Sequence, residues 1–131
     1  PLSAIYKVMY TLCQWMGGIM LPYTVHVGRR VRIDHFGGMI LVAHSIGDDV
    51  IIRQNTTFGI AGLDGMEDRP IIEEGVEIGA GAVIVGRIRV GAGAKVGANA
   101  VVVRDVAPGQ AVGGEPAKPI GHTKSIESSH I

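Results

Sequence analysis

The sequence predicts an all-β fold, a parallel β-helix, and three observations support that prediction. Aliphatic residues recur every six positions, as Ile72, Ile78, Ile84, Val90, Val96 and Val102. A second small or branched apolar residue stands four positions after each of them, and glycine supplies 20 of the 131 residues. Neither an α-helix of 3.6 residues per turn nor an alternating strand has a period of six. A short strand followed by a tight turn does, and three such units close one triangular coil of about eighteen residues.

The repeat defines the central domain and also two breaks within it. The same template extends back to Val27, which gives about four coils over residues 25–107. Ile33 and Ile46 are thirteen residues apart instead of twelve, and Phe58 and Ile72 are fourteen apart instead of six. The second break predicts one protruding loop at residues 59–71. Functional groups on a rigid scaffold are expected at such breaks.

The two ends of the chain lack the six-residue repeat. In residues 1–24, apolar residues follow a 3-4-3-4 spacing, which predicts a short amphipathic helix that ends at Gly17 and Gly18. We interpret this helix as a cap on the open first coil, with contact to a membrane surface or a partner as the alternative. Residues 108–131 predict an irregular segment that ends the coil, followed by a polar tail.

Charge and composition exclude several classes of function. Twelve basic and twelve acidic residues cancel, so nothing favours a nucleic acid as the partner. The single cysteine cannot form an internal disulfide, which favours the reducing cytoplasm. The apolar N-terminal stretch is interrupted by polar residues, so we predict neither a transmembrane span nor a signal peptide.

His35 is the strongest candidate for a catalytic side chain. It lies in "IDHFGG" at the first break, where Gly37 and Gly38 leave room for a ligand. An imidazole that titrates near neutral pH suits a general base, although a lone histidine is more often structural. Zinc held by His26, His35 and His44 is the alternative, but the closely spaced ligand pair typical of such a site is missing, so we expect no metal.

Four stretches resemble a known family in order and spacing. They are "IDHFGG", "IRQNTTFG", "EDRPIIEEGVEIGAGAVIVG" and "GAKVGANAVVVRDVAPGQAVGGEPAK". Together they are similar to the hexapeptide-repeat O-acetyltransferases of the serine acetyltransferase type, from about Val25 to Ile120. The resemblance implies a left-handed β-helix, a homotrimer, and an acetyl-CoA groove and active site between adjacent subunits.

The resemblance also implies roles for individual residues. His35 matches the catalytic histidine, which takes the proton of an acceptor hydroxyl as that hydroxyl attacks the thioester. The residues expected to contact the acceptor are Asp34, His44, Asp68 and Arg69. Backbone N–H groups of Gly59 or Gly62 would stabilise the oxyanion. The further positions expected to bind acetyl-CoA are Ala80, Gly81, Ala98 and Pro116, with Lys95, Arg104 and Lys118 near its phosphates.

Three departures from the family pattern concern the acceptor. The aspartate expected about fifteen residues before the catalytic histidine falls on Met20, "EDRP" lacks the histidine of the family's loop, and "HFGG" looks more like the acetyltransferases of surface-glycan synthesis. We therefore predict transfer of acetyl to a sugar hydroxyl. Serine O-acetylation is the first alternative, and a non-catalytic β-helix scaffold and a metal-dependent hydratase are the others.

Overall fold

The protein is a parallel β-helix preceded by one α-helix. The computed structural model describes residues 2–35, 37–60 and 67–123, so residues 61–66 of the predicted loop, which include Gly62, and residues 124–131 of the polar tail lie outside the described residues. The helix α1 spans Leu2–Gly17. The strands of the described residues are β1 (Ile19–Met20), β2 (His26–Val27), β3 (Arg32–Asp34), β4 (Met39–Leu41), β5 (Ser45–Ile46), β6 (Ile51–Arg53), β7 (Thr57–Gly59), β8 (Ile71–Ile72), β9 (Glu77–Ile78), β10 (Val83–Val85), β11 (Arg89–Val90), β12 (Lys95–Val96), β13 (Val101–Val102), β14 (Gln110–Gly114) and β15 (Ala117–His122).

The strands form three sheets, which are the three faces of the prism. Face A has the order β1-β4-β7-β10-β13, face B has β11-β8-β5-β2, and face C has β15-β14-β12-β9-β6-β3. All neighbours pair in parallel except β14 and β15, which form an antiparallel hairpin. The predicted fold class is confirmed, and the five strands of face A show about five turns where the sequence predicted about four.

Stacked apolar side chains fill the interior of the prism. The fully buried column of face C contains Ile52 and Ile78, which pair in register. Burying each such side chain stabilises the fold by about 1.5–3 kcal/mol. Glycine is required where coils come closest: a Cβ on Gly79 would lie 2.5 Å from the backbone nitrogen of Ala98. The six-residue period is therefore the spacing of inward side chains, and the glycines beside them allow the coils to stack.

The first break in the repeat consists of two opposite shifts. Leu41 pairs with Phe58 and is the inward residue of face A in its coil. Eight residues separate Ile33 from Leu41, and five separate Leu41 from Ile46, where six would be regular. The turn from face C to face A, which we call the CA corner, thus gains two residues. The turn from face A to face B, the AB corner, loses one, and there the Ala43 N–H donates to the Leu41 carbonyl at 3.0 Å in a three-residue turn.

The coil continues beyond the predicted boundary at residue 107. Val106 pairs with Val90, only four residues after the inward Val102. Val112 then pairs with Val96 and is buried. Because this corner is two residues short, Val112 does not fall at a multiple of six from Val102. The repeat therefore predicted an irregular segment where β14 and β15 lie.

Helix α1 leaves its apolar side chains on the surface. Leu2, Trp15 and Met16 are each 85% exposed, and the helix packs mainly beside β1. Within one chain, the apolar face of α1 therefore does not cover the open first coil, as the sequence had predicted that it would. Among the described helices, none is both long and apolar enough to cross a membrane.

Candidate active site

The CA corner has one geometry in three coils and a different one in the first. In the three regular turns a single residue adopts positive φ, namely Asn55 (61°), Gly81 (75°) and Asn99 (58°). In the first coil three residues adopt it, His35 (φ 57°), Gly37 (φ 135°) and Gly38 (φ 59°). Positive φ is uncommon for residues other than glycine, and side chains held in it concentrate at functional sites. The two inserted residues therefore create a strained and exposed position that is occupied by His35.

The corner that carries His35 is fixed by the coil above it. The Asn55 N–H donates to the Gly37 carbonyl at 2.9 Å. A Cβ on Gly38 would collide with Oδ1 of Asn55, so any other residue there would require the Asn55 side chain to move. His35 follows directly on Asp34, the last residue of β3.

Asp34 is neutralised by an arginine on the same strand. Arg32 Nε lies 3.0 Å from Oδ1 of Asp34, and its NH2 donates to Oδ2 at 3.2 Å. The two residues are two positions apart and therefore share the outer side of the strand. Asp34 also pairs in register with Arg53 on β6. The predicted acceptor contact is thus already engaged by one arginine and lies beside a second.

A groove of about 470 Å³ runs over face C. Its floor includes Gly79 and Gly97, and it is lined also by Arg53, Glu77, Ala80, Lys95, Val96, Ala98, Ala111, Val112 and Ile120. Lys95 is paired with Glu77, Nζ to Oε2, at 3.6 Å. Extending the register of β6, β9 and β12 places Arg53, Gly79 and Gly97 in one row with Asp34. The groove therefore leads along face C to Arg53 on β6, which pairs with β3, the strand that precedes His35.

A second polar cluster lies at the AB corner. The rings of His26 and His44 are 6.2 Å apart, and the His44 N–H donates to the Pro70 carbonyl at 2.8 Å. Arg69 NH1 donates to the Ala43 carbonyl at 3.2 Å and to Thr24 Oγ1 at 3.4 Å. Asp68 precedes Arg69 and is half-buried. Among the described residues, no group of three His, Cys, Asp or Glu side chains is placed to hold a metal ion.

The structure places the predicted site residues at the CA corners with the groove, at the AB corners, and in the hairpin of β14 and β15. Asp34 and His35 lie at the first CA corner, and Ala80, Gly81, Lys95 and Ala98 lie along face C or at its later CA corners. His44, Gly59, Asp68 and Arg69 lie at the AB corner, and Arg104 follows β13 at the AB corner of the last turn. Pro116 lies in the turn between β14 and β15, and Lys118 lies on β15 opposite Gly113.

The two clusters stand at opposite edges of face A, so a single chain does not bring His35 and Arg69 into one cavity. Arg53, which lines the groove, was missed by the sequence analysis. Its signal was position: it stands nineteen residues after Asp34, one coil of eighteen plus the one-residue break.

Comparison with known proteins identifies the chain's relatives. The family described as "Bacterial transferase hexapeptide (six repeats)" matches residues 69–104. The serine acetyltransferase of Escherichia coli (strain K12) is 42% identical over 104 residues, which cover 79% of this chain and 38% of that protein. The serine acetyltransferase of Mycobacterium tuberculosis (strain ATCC 25618 / H37Rv) is 40% identical over 99 residues, covering 75% and 43%.

Solved structures give the same result. A serine acetyltransferase in complex with cysteine superposes with a TM-score of 0.86 at 30% identity, covering 95% of this chain and 49% of that one. A serine acetyltransferase from Brucella abortus strain S19 in complex with coenzyme A gives 0.82 at 30% identity, covering 92% and 49%. The chain spans less than half the length of these relatives. It belongs to the hexapeptide-repeat family that includes the serine acetyltransferases.

Proposed function

We propose that this chain is the catalytic β-helix of an acetyl-CoA-dependent O-acetyltransferase. The observation that carries the proposal is the groove on face C, which runs from β14 to Arg53 on β6, the strand paired with the one that precedes His35. Its floor of glycine backbone suits a long, thin pantetheine arm, because no side chain projects from Gly79 or Gly97. A relative of similar fold has been solved with coenzyme A, which supports this use of the groove.

The chemistry follows from His35, which lies after Asp34, one strand beyond the Arg53 end of that groove. The imidazole accepts the proton of the acceptor hydroxyl while the hydroxyl oxygen attacks the thioester carbonyl carbon. The carbon–sulfur bond then breaks, and the leaving thiolate takes the proton back from the imidazolium. The products are an O-acetyl ester and free coenzyme A. Such a base contributes roughly 10²- to 10⁴-fold in rate.

The acceptor is a small molecule with a hydroxyl group. The names of the relatives favour serine over the sugar that the sequence departures favour. A panel of L-serine, monosaccharides and nucleotide sugars, each with acetyl-CoA and followed by release of free thiol, tests both. We expect acetyl transfer to at least one hydroxyl acceptor. No transfer to any of them, with coenzyme A also failing to bind, would instead support the non-catalytic scaffold.

We further propose that the active site forms between subunits of a homotrimer. A neighbouring subunit can bring its AB corner, with His44, Asp68 and Arg69, against the CA corner that carries His35. Mixing subunits with His35→Ala and subunits with Arg69→Ala tests this arrangement. We expect each variant to be inactive alone and the mixed assembly to recover part of the activity. No recovery in mixed trimers confirmed by mass spectrometry would show that His35 and Arg69 do not share a site between two subunits.

The location in the cytoplasm and the membrane contact of α1 stay predictions. An interfacial helix ordinarily has a polar face rich in Lys and Arg, and α1 carries a single basic residue, Lys7. The charge of the helix thus gives the membrane contact no support.

A further inference from the structure

We propose that Arg53 binds a carboxylate of the acceptor, so that the enzyme prefers hydroxyl acceptors that carry one. This inference rests on the proposed function and names the chemistry that the acceptor brings to the site. The family resemblance assigns no role to Arg53. The proposal follows instead from the charges around His35.

The charge beside His35 is net positive. Arg32 and Asp34 compensate each other through two contacts of 3.0 and 3.2 Å. Arg53, in register with Asp34 on the neighbouring strand, adds one further positive charge. Strands in a sheet are about 4.8 Å apart, so this charge lies one strand away from the residue that precedes His35.

Arg53 is the one cation of the groove without a partner among the described residues. Lys95, the other cation of its lining, is paired with Glu77. The Arg53 side chain is half-buried and, within the described part of the chain, makes no hydrogen bond or ion pair. A partly desolvated guanidinium presents a planar set of donors that matches a carboxylate with two parallel hydrogen bonds.

The position of Arg53 along the groove indicates that the anion it binds belongs to the acceptor and not to coenzyme A. The thioester must reach His35, so the reacting end of acetyl-CoA lies in the first coils, where Arg53 stands. The phosphates of coenzyme A are at the other end of the pantetheine arm, several strands away towards β14 and β15. The group that arrives beside Arg53 is therefore the acceptor.

The engaged state of Asp34 points the same way. An ammonium group of an acceptor is held best by a carboxylate whose charge is not already compensated, and Arg32 contacts both oxygens of Asp34. A carboxylate can come from an amino acid such as serine or from an acidic sugar. The two sources share the chemistry that Arg53 recognises, and the experiment separates them.

Two matched pairs of acceptors test the proposal: L-serine against L-serinamide, and glucuronic acid against its methyl ester. The measurement is kcat/KM for thiol release with acetyl-CoA. We expect the wild-type protein to prefer the carboxylate member of at least one pair by roughly 10- to 100-fold, the value of a hydrogen bond to a charged group. The pair that shows the preference identifies the source.

Variants of Arg53 assign the preference to its side chain. Arg53→Gln is expected to bring the ratio of kcat/KM between the carboxylate acceptor and its neutral partner close to one. Arg53→Lys is expected to keep part of the preference, because a point charge then replaces the planar donor set. Arg29→Gln, at an exposed arginine in the turn from face B to face C, is the matched control and should keep the wild-type ratio. Thermal unfolding of each variant checks that the fold is intact.

Three results would overturn the proposal. Equal kcat/KM for both members of both pairs in the wild-type protein removes the preference itself, while transfer still supports the proposed function. A uniform loss for all acceptors in Arg53→Gln, with the ratio kept, assigns Arg53 to the thioester oxygen instead. No transfer to any acceptor by the wild-type protein overturns both the inference and the proposed function.

Discussion

The CA corner of the first coil and the same corner in the next three coils have different tasks. In the later coils one residue at positive φ turns the chain, and Asn55, Gly81 and Asn99 stack above each other. In the first coil two extra residues widen the turn, and His35 takes a positive φ on the surface. The comparison teaches that the repeat supplies rigidity, while a local departure from it holds the imidazole that we propose as the general base.

The largest effect is expected from His35→Gly. Removing the imidazole should lower kcat by roughly 10²- to 10⁴-fold. Glycine adopts positive φ without the penalty of about 1–2 kcal/mol that other residues pay, and this gain offsets its greater freedom in the unfolded chain. We therefore expect the free energy of unfolding to change by less than about 1 kcal/mol. Thiol release and urea unfolding measure the two quantities.

Asn99→Gly is the matched control for His35→Gly. It makes the same kind of change at a regular CA corner with φ 58°, so it should keep both activity and stability. Equal activity in the two variants would show that the first corner is as structural as the later ones.

The second effect concerns the core beneath these corners. Ile78→Ala removes a fully buried side chain of face C and should lower the free energy of unfolding by about 2–5 kcal/mol. Ile33 occupies the same column in the first coil but is only partly buried, so Ile33→Ala should cost less. Urea unfolding of both variants makes the comparison. A larger loss for Ile33→Ala would mean that the first coil is the better packed one.

Much of the fold could be predicted from the sequence because the period of six is itself a consequence of stacking. Inward residues such as Ile78, Ile84 and Val90 must recur at the spacing of the faces, so their identities record the architecture. The position of His35 at a break was visible for the same reason. The count between Ile33 and Ile46, however, shows only the net difference of one residue, because two insertions and one deletion partly cancel.

Which of the candidate site residues lie close together could not be predicted in the same way. Which corner holds His44 or Arg104 depends on the exact register of each strand. The partnership of Arg32 with Asp34, and the place of Arg53 in the groove, depend on which side of a strand faces outward and which strands pair. These are properties of the folded coil, and a pattern of apolar residues does not contain them.

The third effect concerns two glycines of one row on face C. A Cβ on Gly79 would meet backbone atoms of Ala98 and Gly97 at 2.5–2.9 Å, whereas a Cβ on Gly97 would have its nearest contact at 3.4 Å, the Val112 carbonyl oxygen. Gly79→Ala should therefore destabilise the fold by about 1–3 kcal/mol, as overpacking does, and Gly97→Ala should be nearly neutral. Thermal unfolding of the pair measures the difference. Equal melting temperatures would show that the coils can separate locally at little cost.

The smallest effect is expected at the turn from face B to face C, where an ion pair joins two neighbouring coils. Arg30 (φ 56°) and Asp49 (φ 60°) stack there, and Arg30 Nε lies 2.7 Å from Oδ1 of Asp49. The hydrogen bond from Arg30 lowers the pKa of the Asp49 carboxyl from its usual 3.8. A lowered pKa in the folded state adds stability above pH 3.8 that is lost as the pH falls through the folded value.

Asp49→Asn keeps a residue that tolerates positive φ and removes only the charge. We expect a slightly lower melting temperature than wild type at pH 7, since exposed ion pairs contribute little. The difference should disappear at high salt and again below the lowered pKa of Asp49, where the wild-type carboxyl is also neutral. Activity should be unchanged, because this corner lies on another edge of the prism from His35. A loss of acetyl transfer in Asp49→Asn would mean that positive φ and a charged side chain mark function at this corner too.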